Sequence, residues 1–123
     1  MTPPLPSLPT AVVALTPATL PKVLPLLLLV NICHPPCAFC QALLPTWELL
    51  AERLRHEVVV ASWDAAAYPR LPELLGFANS TPTIRAVLPT VSDTVASARL
   101  VDYSGPRAVD DLARFAATLM PNL

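Results

Sequence analysis

Apolar positions along the chain follow two alternating rhythms. "AVVAL" (Ala11 to Leu15), "LLLLVNI" (Leu26 to Ile32) and "EVVVASW" (Glu57 to Trp63) are short apolar runs. The middle one is continuous, as strands buried on both faces require, and predicts a central strand. Between the second and third runs the period lengthens. Leu43, Trp47, Leu50 and Leu54 recur at three- and four-residue steps, which puts them on one face of a helix from Cys37 to about Arg55. Pro45 is expected to kink that helix, because it has no N–H to give the preceding turn. Earlier, Thr16-Pro17 reads as a cap and first helical residue, starting a short helix to about Leu24 that Pro21 strains. Later, "YPRLPELLGF" predicts a short helix closed by Gly76. "TIRAVLP" and "SARLVDY" predict two neighbouring strands. "GPRAVDDLARFAATLM" predicts an amphipathic helix with Val109, Leu112, Phe115, Ala116 and Leu119 as its buried face.

The expected order is strand, helix, strand, helix, strand, helix, strand, strand, helix. Such alternation implies an α/β fold whose central, mostly parallel sheet is covered on both faces by helices. Residues 1–10 carry Pro3, Pro4, Pro6 and Pro9 and are expected to be an extended segment. Residues 11–123 then form one domain, and no internal repeat is visible.

Composition narrows the function classes. With 123 residues the chain is large enough to bury a core without a metal or several disulfides. A hydrophobic fraction of 54% against 14% charged argues for folding despite 16 prolines. The net charge of -1, with eight Lys and Arg scattered along the chain, gives no footprint for nucleic acid. Val23 to Cys33 is apolar but too short to span a bilayer, and it lacks the cleavage pattern of a signal peptide.

All three cysteines and one of the two histidines fall in "CHPPCAFC", Cys33 to Cys40. Cys37 and Cys40 are spaced so that both sulfurs lie at the first turn of the predicted helix, within disulfide reach. The unpaired N–H groups and positive dipole end there favour a thiolate, and Cys37 is the better placed, at the outer edge. The spacing suits thiolate attack on a disulfide followed by resolution by the second thiol. Cys33 reads as a strand-end structural residue, with regulatory pairing as the lesser alternative. A zinc site needs four convergent ligands. Eight contiguous residues, Cys33, His34, Cys37 and Cys40 among them, seldom wrap such an ion, so no metal is expected. Attachment of c-type haem needs His after the second Cys, where Gln41 stands, and no cofactor is expected.

"LVNICHPPCAFCQALLPTWELLAERL" resembles the active-site segment of the thioredoxin superfamily, and most of all the domains of protein disulfide isomerases. Pro35, Cys37, Cys40, Pro45 and Trp47 carry the likeness, and "VVVASWDA", "GFANSTPTIRAVLP" and "YSGPR" extend it over roughly Ala11 to Leu119. The resemblance implies a thioredoxin fold and a dithiol acting on protein or peptide thiols and disulfides. It implies a cis-proline at Pro82, with Thr81 before it offering backbone groups to a bound peptide. It also implies a role for Arg107 in favouring the thiolate of the second cysteine. A secretory or endoplasmic reticulum lumen is the compartment such a family suggests, with the cytoplasm as the alternative. A place within a longer multidomain protein stays open.

The departures matter too. Asn31 stands where the family has a buried acid, and Ser62 where its lysine partner is usual. Losing both members of a buried ion pair is near neutral for folding, unlike losing one. It does remove a proton acceptor for Cys40, so slow resolution of mixed disulfides is expected. Ala38-Phe39 replaces Gly-His between the cysteines, which predicts a less oxidising dithiol; His34 is the one histidine near enough to substitute in part. The competing reading is a peptide- or partner-binding module of the same fold with a vestigial disulfide.

Overall fold

A computed structural model describes residues 11–23, 27–90 and 97–120. The expected extended segment over residues 1–10 lies outside the described residues. The elements are β1 (Val13–Leu15), α1 (Leu20–Val23), β2 (Leu28–Cys33), α2 (Ala38–Arg53), β3 (Val59–Asp64), β4 (Thr83–Thr90), β5 (Ser97–Tyr103) and α3 (Val109–Leu119). They build a five-stranded sheet in the order β1-β3-β2-β4-β5. β3 runs parallel to β1 and β2, while β4 is antiparallel to both β2 and β5. Only β4 opposes the direction of the other four, so the sheet is mixed and mostly parallel.

The continuous apolar run of β2 has the use its sequence suggests. It lies between β3 and β4, and Leu28, Leu29 and Val30 are fully buried. Successive side chains of a strand point to opposite faces. Leu29 therefore joins Trp47, Leu50, Leu112 and Ala116 under α2 and α3. Leu28, Val30 and Ile32 join Leu15, Leu20, Trp63 and Leu75 on the other face, under α1 and residues 65–78. The two indoles anchor these layers. Trp47 Nε1 donates to the Ala61 carbonyl at 2.9 Å, and Trp63 Nε1 to that of Tyr68 at 3.0 Å.

α2 runs through Pro45 without ending. Its buried side chains, Cys40, Leu43, Trp47, Leu50 and Ala51, hold the expected period. On α3 the most deeply buried residues are Leu112, Ala113 and Ala116, with Phe115 and Leu119 packed partly against the same core. An Arg53–Asp110 ion pair ties the end of α2 to the start of α3.

One predicted element is absent. "YPRLPELLGF" forms a turn, not a helix: the N–H groups of Leu75 and Gly76 reach back to the Pro72 carbonyl at 3.0 and 3.2 Å. Pro69 and Pro72 have no N–H with which to extend it. Gly76 does close the turn, with φ of 73°. The segment is held to the sheet by Arg85 of β4, whose Nη1 donates to the Leu75 carbonyl at 2.7 Å.

Candidate functional site

The site is assembled where β2 hands the chain to α2. After Cys33, the sequence His34-Pro35-Pro36 turns tightly, and the Cys37 N–H closes the turn on the His34 carbonyl at 2.8 Å. Two consecutive prolines fix φ and supply no competing donors. Gln41 Nε2 donates back to the Pro35 carbonyl at 3.1 Å, pinning the turn to the helix. Cys37 thereby becomes the N-cap of α2 in an extended conformation, and Cys40 falls in its first turn.

Cys40 is 3% exposed, and its sulfur is bonded to Cys33, with the two Cα atoms 5.7 Å apart. Cys37 is a free, partly exposed thiol. The structure thus differs from the sequence expectation in which cysteine is joined to Cys40. The reason lies in the alternation along β2. Leu29, Asn31 and Cys33 share the face that α2 covers, so Cys33 points at the first turn of α2 from beneath. Cys37, at the cap, faces outward toward Thr81. The period-two register of the strand was the signal for this pairing, since it places Cys33 on the buried helix side.

Cys37 Sγ is 3.6 Å from the Thr81 carbonyl, to which its thiol donates. The Thr81–Pro82 bond is cis. Several groups draw the Cys37 pKa below that of an ordinary thiol. The largest influence is the Cys40 backbone N–H, followed by the Thr81 side chain, while partial burial opposes them. The Phe39 N–H and the positive charge of Arg107 add smaller pulls in the same direction. A helix start stabilises a thiolate in this way because its first N–H groups have no partner within the helix. Arg107 lies just ahead of α3 and is exposed, and its charge acts on Cys37.

Two concavities flank the cysteines. On the Cys37 side, a groove of about 300 Å³ is bordered by Ile32, His34, Ala65, Asn79, Ser80 and Thr81. Behind the disulfide, a cavity of about 280 Å³ is lined in part by Asn31, Cys33, Cys40, Ser62, Trp63 and Asp64. Asn31 and Ser62 are direct neighbours across β2 and β3. Asn31 is 1% exposed, so an uncharged pair occupies the ground beneath the disulfide. Asp64, opposite Cys33 in the same register, was not singled out from sequence. No helix among the described residues is long and apolar enough to cross a membrane.

No family model matches the chain. Curated relatives do. The chain is 34% identical over 88 residues to Protein disulfide-isomerase 2-3 of Arabidopsis thaliana, covering 72% of this chain and 18% of that protein. It is 36% identical over 83 residues to Protein disulfide-isomerase of Aspergillus oryzae, covering 66% and 14%. The chain therefore spans less than a fifth of the length of these relatives. Among solved structures, the Trx4 domain of ERdj5 superimposes with a TM-score of 0.73 at 23% identity, covering 89% of this chain and 96% of that one. The first thioredoxin domain of mouse Protein disulfide-isomerase A4 gives 0.71 at 20% identity, covering 90% and 76%. Fold and relatives agree that the chain is a thioredoxin-superfamily domain of the protein disulfide isomerase type.

Proposed function

We propose that this domain is a thiol-disulfide oxidoreductase acting on protein or peptide substrates, with Cys37 as nucleophile and Cys40 as resolving thiol. The observation that carries this reading is the setting of Cys37: a partly exposed thiol at a helix start, facing the Thr81 carbonyl, with its pKa drawn down by neighbouring N–H groups. In the fully reduced protein, the Cys37 thiolate attacks one sulfur of a substrate disulfide. The other substrate sulfur leaves as a thiolate, and a mixed disulfide remains. Cys40, having lost its proton, then attacks the Cys37 sulfur, forming Cys37–Cys40 and releasing the second substrate thiolate. Two electrons pass from the dithiol to the substrate, and reversal of the steps oxidises a substrate dithiol.

Thr81 and Pro82 serve as the substrate-binding edge, where the Thr81 backbone meets an extended peptide beside Cys37. Arg107 assists by its charge. The uncharged Asn31 and Ser62 leave Cys40 without a buried carboxylate to take its proton, so resolution is the slow step. An oxidising lumen such as the endoplasmic reticulum suits a domain of this type, and a longer multidomain protein suits its relatives' lengths.

A second reading, a partner-binding module with little turnover, is favoured by one observation: Cys40 is bonded to Cys33, leaving Cys37 without its resolver. The deciding experiment is to reduce the protein fully, mix it with a peptide disulfide and follow substrate thiol release through repeated cycles with a thiol donor. Multiple turnovers that vanish in Cys37→Ser support the oxidoreductase. A single stoichiometric mixed disulfide that is never released supports the binding module.

A further inference from the structure

The oxidoreductase reading gives Cys40 one partner, whereas the structure gives it another. Cys33, at the end of β2, is bonded to Cys40, while Cys37, at the N-cap of α2, sits close enough for the Cys40 backbone N–H to act on its sulfur. We propose that Cys33 is a third working cysteine, which takes Cys40 into an internal disulfide and exchanges it with Cys37. The inference rests on the reading of Cys37 and Cys40 as the dithiol, and extends it.

The exchange balances without an outside oxidant. The Cys37 thiolate attacks Cys40 Sγ, the Cys33–Cys40 bond breaks, and Cys33 leaves as a thiolate that takes a proton from water. The product holds one disulfide and one thiol, as the reactant did. Its direction is set by the two surroundings. Cys33 Sγ lies 2.9 Å from Asn31 Oδ1; in the disulfide this is a sulfur–oxygen contact, and after cleavage the Cys33 thiol can donate along the same line. A neutral carbonyl acceptor favours thiol over thiolate, while the helix start favours thiolate at Cys37. The residue more stable as a free thiolate is the one left out of the bond, which accounts for Cys37 being free.

The consequence is a switch in how the domain handles a substrate. With Cys40 held by Cys33, Cys37 can still attack a substrate disulfide, but the resulting mixed disulfide has no resolver and the substrate is retained. Reduction of Cys33–Cys40 returns the resolving thiol. Of the two bonded cysteines, Cys40 is buried and Cys33 only partly so. Oxidising equivalents held at Cys40 would leave by way of Cys37.

The test is to map the free thiol in the singly oxidised wild-type protein. Protein with one disulfide is held at pH 8 without added thiol. Samples are quenched over time with light N-ethylmaleimide, reduced, labelled with the heavy reagent and localised by tandem mass spectrometry. The expected result is light label on Cys37 in the major species and on Cys33 in the minor, at a ratio that becomes constant. Oxidised Cys33→Ser is expected to fall from one free thiol per molecule to none, with Cys37–Cys40 bonded. Label confined to Cys33 at all times makes Cys33 a spectator; label confined to Cys37 at all times makes Cys33–Cys40 a static bond. Either result overturns the proposal. The dithiol reading fails separately, if fully reduced wild type releases no thiol from a peptide disulfide.

Discussion

Asn31 Oδ1 lies 2.9 Å from Cys33 Sγ, on the floor of the cavity behind the disulfide. An acid placed there would be buried beside Ser62, with no lysine to hold its charge. Its pKa would rise, making it a better proton acceptor at neutral pH. Asn31→Asp is therefore expected to accelerate release of a mixed disulfide from fully reduced protein by ~10²-fold. Stability should fall by about 1–3 kcal/mol, the cost of burying a polar group without its partners. Stopped-flow measurement of the second thiol released from a chromogenic disulfide reads the rate, and urea unfolding reads the stability. An unchanged release rate sinks the idea that the missing acid limits resolution.

The lowered Cys37 pKa gives a pH profile with a definite sign. Alkylation of Cys37 in the singly oxidised protein should rise with pH and level off below the pH at which an ordinary cysteine does, because the thiolate is the reacting form. Removing a favourable neighbour raises the midpoint and slows the reaction below it. Thr81→Val should move the midpoint up more than Arg107→Gln, following the order of their influences. The Arg107 change should slow alkylation at pH 7 by only about twofold, since an exposed charge is screened. A larger shift for Arg107→Gln than for Thr81→Val would contradict this account.

Much of this arrangement was legible in the chain, for identifiable reasons. The continuous apolar β2 and the three- and four-residue recurrence of Leu43, Trp47 and Leu50 read correctly because burial on two faces and on one leaves different patterns. The segment from Tyr68 to Phe77 misread as a helix because its apolar positions fit, while Pro69 and Pro72 withdrew the donors a helix needs. Gly76 is a terminator as its sequence position implies, but of a turn and not of a helix. The partner of Cys40 was hidden by the nearer spacing of Cys37, although Cys33 stands two residues after Asn31 on the face of β2 that α2 covers. Arg85 gave no local signal; only pairing β4 with β5 reveals Asp102 directly opposite it.

Gly76 offers a test of how the loop behind the site is held. Its φ of 73° is a conformation that L side chains rarely adopt, and an added Cβ would lie 2.5 Å from Leu100 Cδ1. Gly76→Ala meets both obstacles. It is expected to lower stability by roughly 1–3 kcal/mol through the left-handed backbone and the clash. Gly76→Asn, which tolerates that backbone region better, should recover part of the conformational share only. Thermal unfolding of the two variants separates the contributions: equal losses would place the whole cost in the contact with Leu100.

The same loop is tied down by a charged pair whose worth depends on pH. Arg85 is 7% exposed at its side chain, and its Nε and Nη2 donate to the two oxygens of Asp102 at 2.5 and 3.0 Å. The guanidinium holds the Asp102 pKa below the usual carboxylate range, against a smaller opposing effect of burial. Because Asp102 is 57% exposed at its side chain, solvent screening discounts the pair, and Asp102→Asn should cost about 1–2 kcal/mol at pH 7. A carboxylate with a depressed folded-state pKa contributes in full above its unfolded pKa of ~3.9, and loses that contribution as pH falls from there through the folded value. The stability gap between wild type and Asp102→Asn should accordingly be constant from pH 7 to about 5 and shrink below pH ~4. It should close once Asp102 is protonated in both states. Urea unfolding across that range measures it, and a gap that persists unchanged at the acidic end would mean the cost is one of packing and not of charge.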